Sequence, residues 1–190
     1  MVLPIYIYGL PVLRKVAEDI PADYPELQQL IDDMYETLDK SGGVGLAGPQ
    51  VGKAIRVVVI DLNELAEDYP EYAGYRHVFI NAHIVEYGDE KDSSDEGCLS
   101  LPGLSEKVVR PTTIRVQYLD EELKPHDEWV GGYLARVMQH EFDHLEGQMY
   151  IDHISPLRKQ LIKPNLPSCF ADRFRAGISS RLQRSSLLNF

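Results

Sequence analysis

The stretch His140-Glu141-Phe142-Asp143-His144 constrains this chain more than any other part of it. A helix brings residues four apart onto one face, so the two imidazoles stand one turn apart with a carboxylate beside them. Tyr133, Val137, His140, Glu141 and His144 recur at three- and four-residue spacing, and a face of that kind is ordinarily core. Two imidazoles and a carboxylate are costly to bury unless they are paired or hold a metal. The pattern predicts a helix over residues 133–146, stopped at Gly147, that lies against strands and turns its polar stripe to a site.

With 190 residues, 44% hydrophobic and 26% charged, the chain can bury a core without disulfides, and Cys98 and Cys169 are too few for a disulfide framework. The expected fold class is α+β, with antiparallel or mixed strands packed around the central helix and an amphipathic helix nearer the N-terminus. That first helix spans residues 25–40 on the stripe Leu27, Leu30, Ile31, Met34 and Leu38, with Asp23 as its cap and Gly42-Gly43 as its stop. Apolar, β-branched runs predict strands over 55–62, 78–87 and 108–119, and a turn near Asp120-Glu121 predicts a hairpin. The acidic stretch 63–74 reads as a surface insertion.

No apolar run reaches the length of a membrane span, and Arg14, Lys15, Glu18 and Asp19 interrupt the region where a signal peptide would lie. A cytoplasmic protein is expected. The net charge of −11 repels phosphate and argues against broad nucleic-acid binding, so neither DNA nor a membrane is an expected partner. The charge is uneven. Residues 156–190 hold seven Lys or Arg and one acid, Asp172, which leaves the first 155 residues at −17. Residues 1–163 are therefore read as one catalytic domain and 164–190 as a basic tail or extension.

A catalytic metal of this kind usually takes three protein ligands and keeps one position for water. His140 and His144 supply two. In one protease class a third His follows the second by six residues, but Tyr150 stands there; in another a downstream Glu serves, and beyond residue 160 the only acid is Asp172. Cys98, in Glu96-Gly97-Cys98-Leu99-Ser100, is the remaining candidate. A thiolate binds a divalent cation strongly, although such a cysteine taken alone is more often a small buried thiol. Cys169 has no Gly, His or acid within two residues and reads as structural or idle.

A third segment, Gly43-Val44-Gly45-Leu46-Ala47-Gly48-Pro49-Gln50, is glycine-rich but lacks the Gly-Lys-Ser/Thr of a phosphate loop. In order, Gly-x-Gly-x-Ala-x-x-Gln, Glu-Gly-Cys-Leu-Ser and Gln-His-Glu-x-x-His resemble the three motifs of the peptide deformylases. Gly9-Leu10-Pro11-Val12-Leu13-Arg14 is similar to that family's N-terminal segment, and the resemblance covers about residues 4–155. Gly48 departs from it, standing where the family commonly has Ala.

The resemblance implies hydrolysis of the N-formyl group of formyl-methionine on new proteins. It implies a metal on Cys98, His140 and His144, ferrous iron in the cell, while imidazole and thiolate also suit zinc, nickel and cobalt. Glu141 would act as general base and then acid. The Gln50 side chain and the Leu99 amide would meet the oxyanion. Gly43 and Gly45 would let the substrate backbone approach, and Val44, Tyr133 and Val137 would line an apolar pocket, although core packing accounts for these three equally well. Arg110 is a candidate partner for Glu96 or for a surface acid. The family's work on nascent chains suggests that the basic tail touches ribosomal RNA. Two rivals stand beside this reading: a zinc peptidase on the same helix motif, and a four-ligand structural site completed by His126 or His153.

Overall fold

The computed structural model describes residues 1–166. Seven strands form two sheets. Strands β1 (Gly45–Ala47), β2 (Val57–Asp61), β3 (Arg76–Tyr87), β6 (Thr113–Leu119) and β7 (Pro125–Gly131) make one antiparallel sheet in the order β1-β2-β3-β6-β7. Strands β4 (Lys91–Gly97) and β5 (Ser105–Pro111) form a separate antiparallel pair. Helix α1 (Leu27–Ser41) precedes them, α2 (Gly132–Leu145) follows β7, and α3 (Pro156–Ile162) comes last. The architecture is α+β.

Strand β2 shows how the sequence builds two cores from one sheet. Successive side chains point to opposite faces of a strand. Val57 and Val59 pack with Leu30, Ile31, Met34 and Leu38 of α1, whereas Val58 and Ile60 pack with Val137, Met138 and Phe142 of α2. Both faces are covered, which is why the run Val57-Val58-Val59-Ile60 is apolar without alternation. A third cluster, Leu101, Val108, Met149, Tyr150, Ile151, Ile154 and Ile162, packs beneath the β4–β5 pair. Helix α2 packs against the five-stranded sheet, and Arg136 on it reaches the β5 carbonyl of Val108 (3.1 Å) and the β4 carbonyl of Asp92 (3.3 Å).

Two local expectations are corrected. Asp23 does not cap α1: the N-cap is Glu26, in a left-handed conformation and without a side-chain capping bond. The run 108–119 is two strands in two sheets. Pro111 has no N–H to continue a ladder, and the chain turns at Thr112, whose N–H bonds the Glu90 carbonyl. The stretch 63–74 lies mostly at the surface, as expected of an insertion, and Leu65 and Tyr72 anchor it in the core. No helix among the described residues is long and apolar enough to cross a membrane.

Candidate metal centre

Three distant segments meet at the polar side of α2. The thiol of Cys98 and one nitrogen each of His140 and His144 lie within 4.8 Å of one another, and the sulfur is 3.3 Å from His144 Nε2. Helical spacing accounts for the two imidazoles, whose rings stand 5.2 Å apart at 78°. Cys98 arrives at the end of β4 and is held there by the turn that follows, in which the Ser100 N–H points at its sulfur (3.4 Å) and the Leu101 N–H bonds its carbonyl (2.9 Å).

The site carries strong electrostatic perturbation. Burial pushes the Cys98 thiol up, but the imidazole of His144 and then that of His140 outweigh it and bring the thiol down to about 5. Burial likewise opposes a charge on His140, yet its bonds to Cys98 and Glu96 raise it to about 10. These groups therefore pair as thiolate and imidazolium, the charge state a divalent cation replaces when it binds and releases protons. A set of one sulfur and two imidazole nitrogens, closely spaced and charged in this way, fits a transition-metal or zinc ion.

Glu141 is 1% exposed, and its Oε2 has no hydrogen-bond partner among the described residues. Desolvation pushes its carboxyl up to about 7, against the pull of the two histidines. A buried carboxylate oxygen with nothing to accept from is a place for a water or a substrate proton. Gly45 makes the room: a Cβ on it would stand 2.5 Å from Glu141 Oε1. At Gly48 the space of a methyl is already taken, since a Cβ would meet the Ile55 carbonyl at 2.6 Å and that of Lys53 at 2.9 Å.

Gln50 lies in a short 3-10 turn, Gly48–Val51, immediately after β1. It is 1% exposed and its carboxamide is fixed at both ends. Oε1 accepts from the Ala47 N–H (2.8 Å), which leaves Nε2 aimed at Ser100 Oγ (3.3 Å) and Cys98 Sγ (3.5 Å). An N-terminal strap stitches these two segments, with the Tyr6 N–H on the Gln50 carbonyl and the Tyr8 N–H on that of Ser100, both 2.8 Å. Leu99 is half-buried, and a Cβ on Gly43 would meet its side chain at 2.9 Å. Val44 and Val137 are buried in the core shared by the sheet and α2. Tyr133 packs at the margin of that core, and its ring stacks on Tyr69 of the insertion (6.2 Å, 6°).

The largest feature that sequence reasoning missed is the polar network behind His140. Glu96 is fully buried and accepts from Arg110 Nε (2.6 Å) and Nη2 (2.9 Å), from Arg136 Nη1 (2.8 Å), and pairs with His140 Nδ1 (3.0 Å). Burial works against its charge, but His140 and Arg110 hold its carboxyl well below the usual range. That contact to Nδ1 leaves the other ring nitrogen of His140 for the sulfur side of the site. Arg110 Nη1 continues to Asp143 (2.8 Å), which also binds His153 (2.7 Å). Only the Arg110–Glu96 pair was anticipated. Arg136 lies one helical turn before His140, and that spacing was the available signal. His126 pairs instead with Asp120 (2.8 Å), so neither His126 nor His153 belongs to the Cys98–His140–His144 group.

A thiol and two helical imidazoles around one point, with an unsatisfied carboxylate beside them, define a metal-dependent hydrolase. The comparisons narrow the class. The family model for polypeptide deformylase matches residues 2–160. The peptide deformylase of Flavobacterium johnsoniae is 46% identical over 173 residues, covering 87% of this chain and 88% of that protein. Crystal structures of peptide deformylases from Thermotoga maritima (TM-score 0.73, 38% identity, 82% of this chain and 99% of the other) and Legionella pneumophila (0.75, 34%, 87% and 93%) share the fold. The chain belongs to the polypeptide deformylase family, metal-dependent hydrolases that remove the formyl group from nascent peptides.

Proposed function

We propose that residues 1–163 form one catalytic unit that hydrolyses the N-formyl group of formyl-methionine peptides at the Cys98–His140–His144 centre, releasing formate. The observation that carries this reading is the convergence of the three motifs on Glu141, whose buried Oε2 has no other partner among the described residues. Family membership decides against the peptidase rival.

Cys98 Sγ and the two imidazoles would hold one divalent ion, ferrous iron in the cell with zinc, nickel or cobalt able to substitute, and the ion would supply Lewis-acid activation of water and carbonyl. Glu141 takes the proton of the attacking water at its carboxylate and returns it to the leaving amine nitrogen. Its upward shift to about 7 suits both roles at neutral pH. The charge that develops on the formyl oxygen meets two donors, Gln50 Nε2 and the Leu99 N–H. The Ala47 bond to Oε1 fixes which end of Gln50 faces the site, so little reorganisation is needed as charge appears. Gly43 and Gly45 leave the approach to β1 clear of side chains, and Val44, Tyr133 and Val137 supply apolar surface for the methionine side chain.

Two finer readings extend this one. A cytoplasmic location is proposed because the family acts on newly made peptides. Contact of the basic tail with ribosomal RNA follows from its charge; residues 167–190, including Cys169, lie outside the described part. Removing residues 164–190 is expected to reduce co-pelleting with ribosomes at low salt, and unchanged pelleting refutes that contact.

The deciding experiment is formate release from formyl-Met-Ala, with metal content measured in each preparation. The unaltered chain is expected to release formate and to leave acetyl-Met-Ala intact. Glu141→Ala is expected to keep the metal and lose turnover, and Cys98→Ala to lose the metal. Full activity in Glu141→Ala removes the proposed role of that carboxylate.

A further inference from the structure

The segments that carry Gln50 and Leu99 are held to each other by the N-terminal strap. The Tyr6 N–H bonds the carbonyl of Gln50 itself, and the Tyr8 N–H bonds that of Ser100, the residue after Leu99, both at 2.8 Å. Two residues of chain reach no further than about 7 Å, so one short piece of backbone sets how far apart these carbonyls stand. The strap is itself anchored on both sides. The Leu3 N–H bonds Thr37 Oγ1 on α1 (2.8 Å), and the Ala17 N–H bonds the Leu145 carbonyl at the end of α2 (2.7 Å). Side chains strengthen the hold: Gly52, at φ +86° just after the Gln50 turn, lies under the Tyr6 ring, which a Cβ would meet at 2.7 Å. Tyr8 packs against the cluster that contains Leu101 and Tyr150.

This tie differs in kind from the direct ones. Among the described residues, the hydrogen bonds that run straight from the Gln50 turn to the Cys98–Leu101 turn are those of Gln50 Nε2, to Ser100 Oγ (3.3 Å) and Cys98 Sγ (3.5 Å). Both are long, and both use the hydrogens that must turn to the formyl oxygen as charge develops. The strap bonds use backbone groups outside the reaction, so they persist while Nε2 changes partner. Donors aimed at a developing charge work best when their separation is fixed beforehand, and a misplacement near 1 Å costs about a hundredfold.

We propose that the main-chain N–H groups of Tyr6 and Tyr8 are positioning groups for the reaction, fixing the separation of Gln50 Nε2 and the Leu99 N–H. They act through the two carbonyls they hold. This inference rests on the reading of Gln50 and Leu99 as oxyanion donors.

The turn that follows the strap offers a suitable variant. Tyr8 is the second residue of a turn closed by the Leu10 N–H on the Ile7 carbonyl (3.3 Å), with Gly9 third at φ +96°. Proline is favoured at that second position and has no N–H, so Tyr8→Pro deletes the bond to Ser100 while suiting the turn. Tyr8→Ala loses the same ring and keeps the N–H. Both are assayed on formyl-Met-Ala as full-length, metal-loaded protein. Relative to Tyr8→Ala, Tyr8→Pro is expected to lower kcat roughly ten- to hundredfold, with KM, metal content and the visible absorption of the cobalt-loaded form unchanged. In a Gln50→Ala background the same exchange is expected to cost roughly threefold or less, because one of the two donors whose separation it disturbs is gone. Equal kcat in Tyr8→Pro and Tyr8→Ala overturns the proposal, as does a loss that persists in full beside Gln50→Ala or one matched by lost metal. Near-normal turnover in Gln50→Ala alone marks instead the failure of the donor reading, and the proposal goes with it. Should Tyr8→Pro not fold, Tyr6→Pro against Tyr6→Ala makes the same comparison at the Gln50 carbonyl.

Discussion

The two sides of α2 hold the same helix in place by opposite means. Toward the five-stranded sheet it presents Ala135, Met138, Phe142 and Leu145, which are buried in the apolar core. Toward the β4–β5 pair it presents Arg136, His140 and Asp143, which reach Glu96, Arg110 and the Asp92 and Val108 carbonyls through hydrogen bonds and ion pairs. The apolar side is non-directional, so it fixes how close the helix sits and tolerates volume-conserving change. The polar side is directional, so it fixes which ring nitrogen faces the thiol, and each partner leaves another unpaired if removed. A site that must orient His140 to a fraction of an ångström is built on the second kind of contact.

The sharpest way to break this comparison lies at the donors of the site. Gln50→Ala is expected to keep the metal and the fold and to lose ~10²–10³ in turnover, about 3–4 kcal/mol of transition-state stabilisation. Steady-state formate release with metal analysis checks it, and near-normal turnover would free Gln50 of that role. Next comes the polar side itself. Glu96→Ala takes the shared carboxylate from two buried guanidinium groups, leaving Arg110 with Asp143 alone and Arg136 with the more exposed Asp92. A loss of about 3–5 kcal/mol in unfolding free energy is expected, with weaker metal retention, measured by denaturant titration and by metal content after dialysis.

On the apolar side Met138→Ala should cost about 2–5 kcal/mol by opening a cavity, yet leave metal stoichiometry and KM near their original values. If it shed the metal as readily as Glu96→Ala, the two sides would not be distinct in function. The smallest effect is expected far from both. Arg115 pairs with Asp127 on the exposed surface of the β6–β7 hairpin (2.7 Å), where solvent screens the pair, and Arg115→Ala should leave the denaturant midpoint essentially unchanged.

The parts legible in the sequence were those whose signal is local. The helix read over 133–146 is observed as Gly132–Leu145, and that read over 25–40 as Leu27–Ser41, because both stripes recur with the helical period. The strand over 55–62 appears as Val57–Asp61 on the strength of its β-branched residues. Strands β4 and β7, with sequences KDSSDEG and PHDEWVG, carry no such signal. Both are mostly exposed, and it is the ladders to β5 and β6 that make them strands. Helix α3 announces itself by Ser155 before Pro156, with Ser155 Oγ accepting from the Arg158 N–H, a local cue that was not read.

Within the site the same division holds. The spacing of His140, Glu141 and His144 belongs to one helix and is readable from five residues of chain. That Cys98 stands beside them was a matter of motif order, and its 3.3 Å approach to His144 Nε2 comes from how β4 and α2 pack. The convergence of Arg110, Arg136 and His140 on Glu96 had almost no sequence signature, because the four residues come from β4, β5 and α2.

By itself, then, the sequence determined the amphipathic helices, the buried central strand and the identity of the groups able to hold a metal, since each depends on periodicity or chemistry within a few residues. Only the tertiary structure decided that polar segments become paired strands, that Gly45 stands clear for Glu141, and that a buried carboxylate sets the tautomer of His140. Those outcomes depend on which distant backbone or charge arrives alongside, and the free energy that selects them comes from burying the whole arrangement at once.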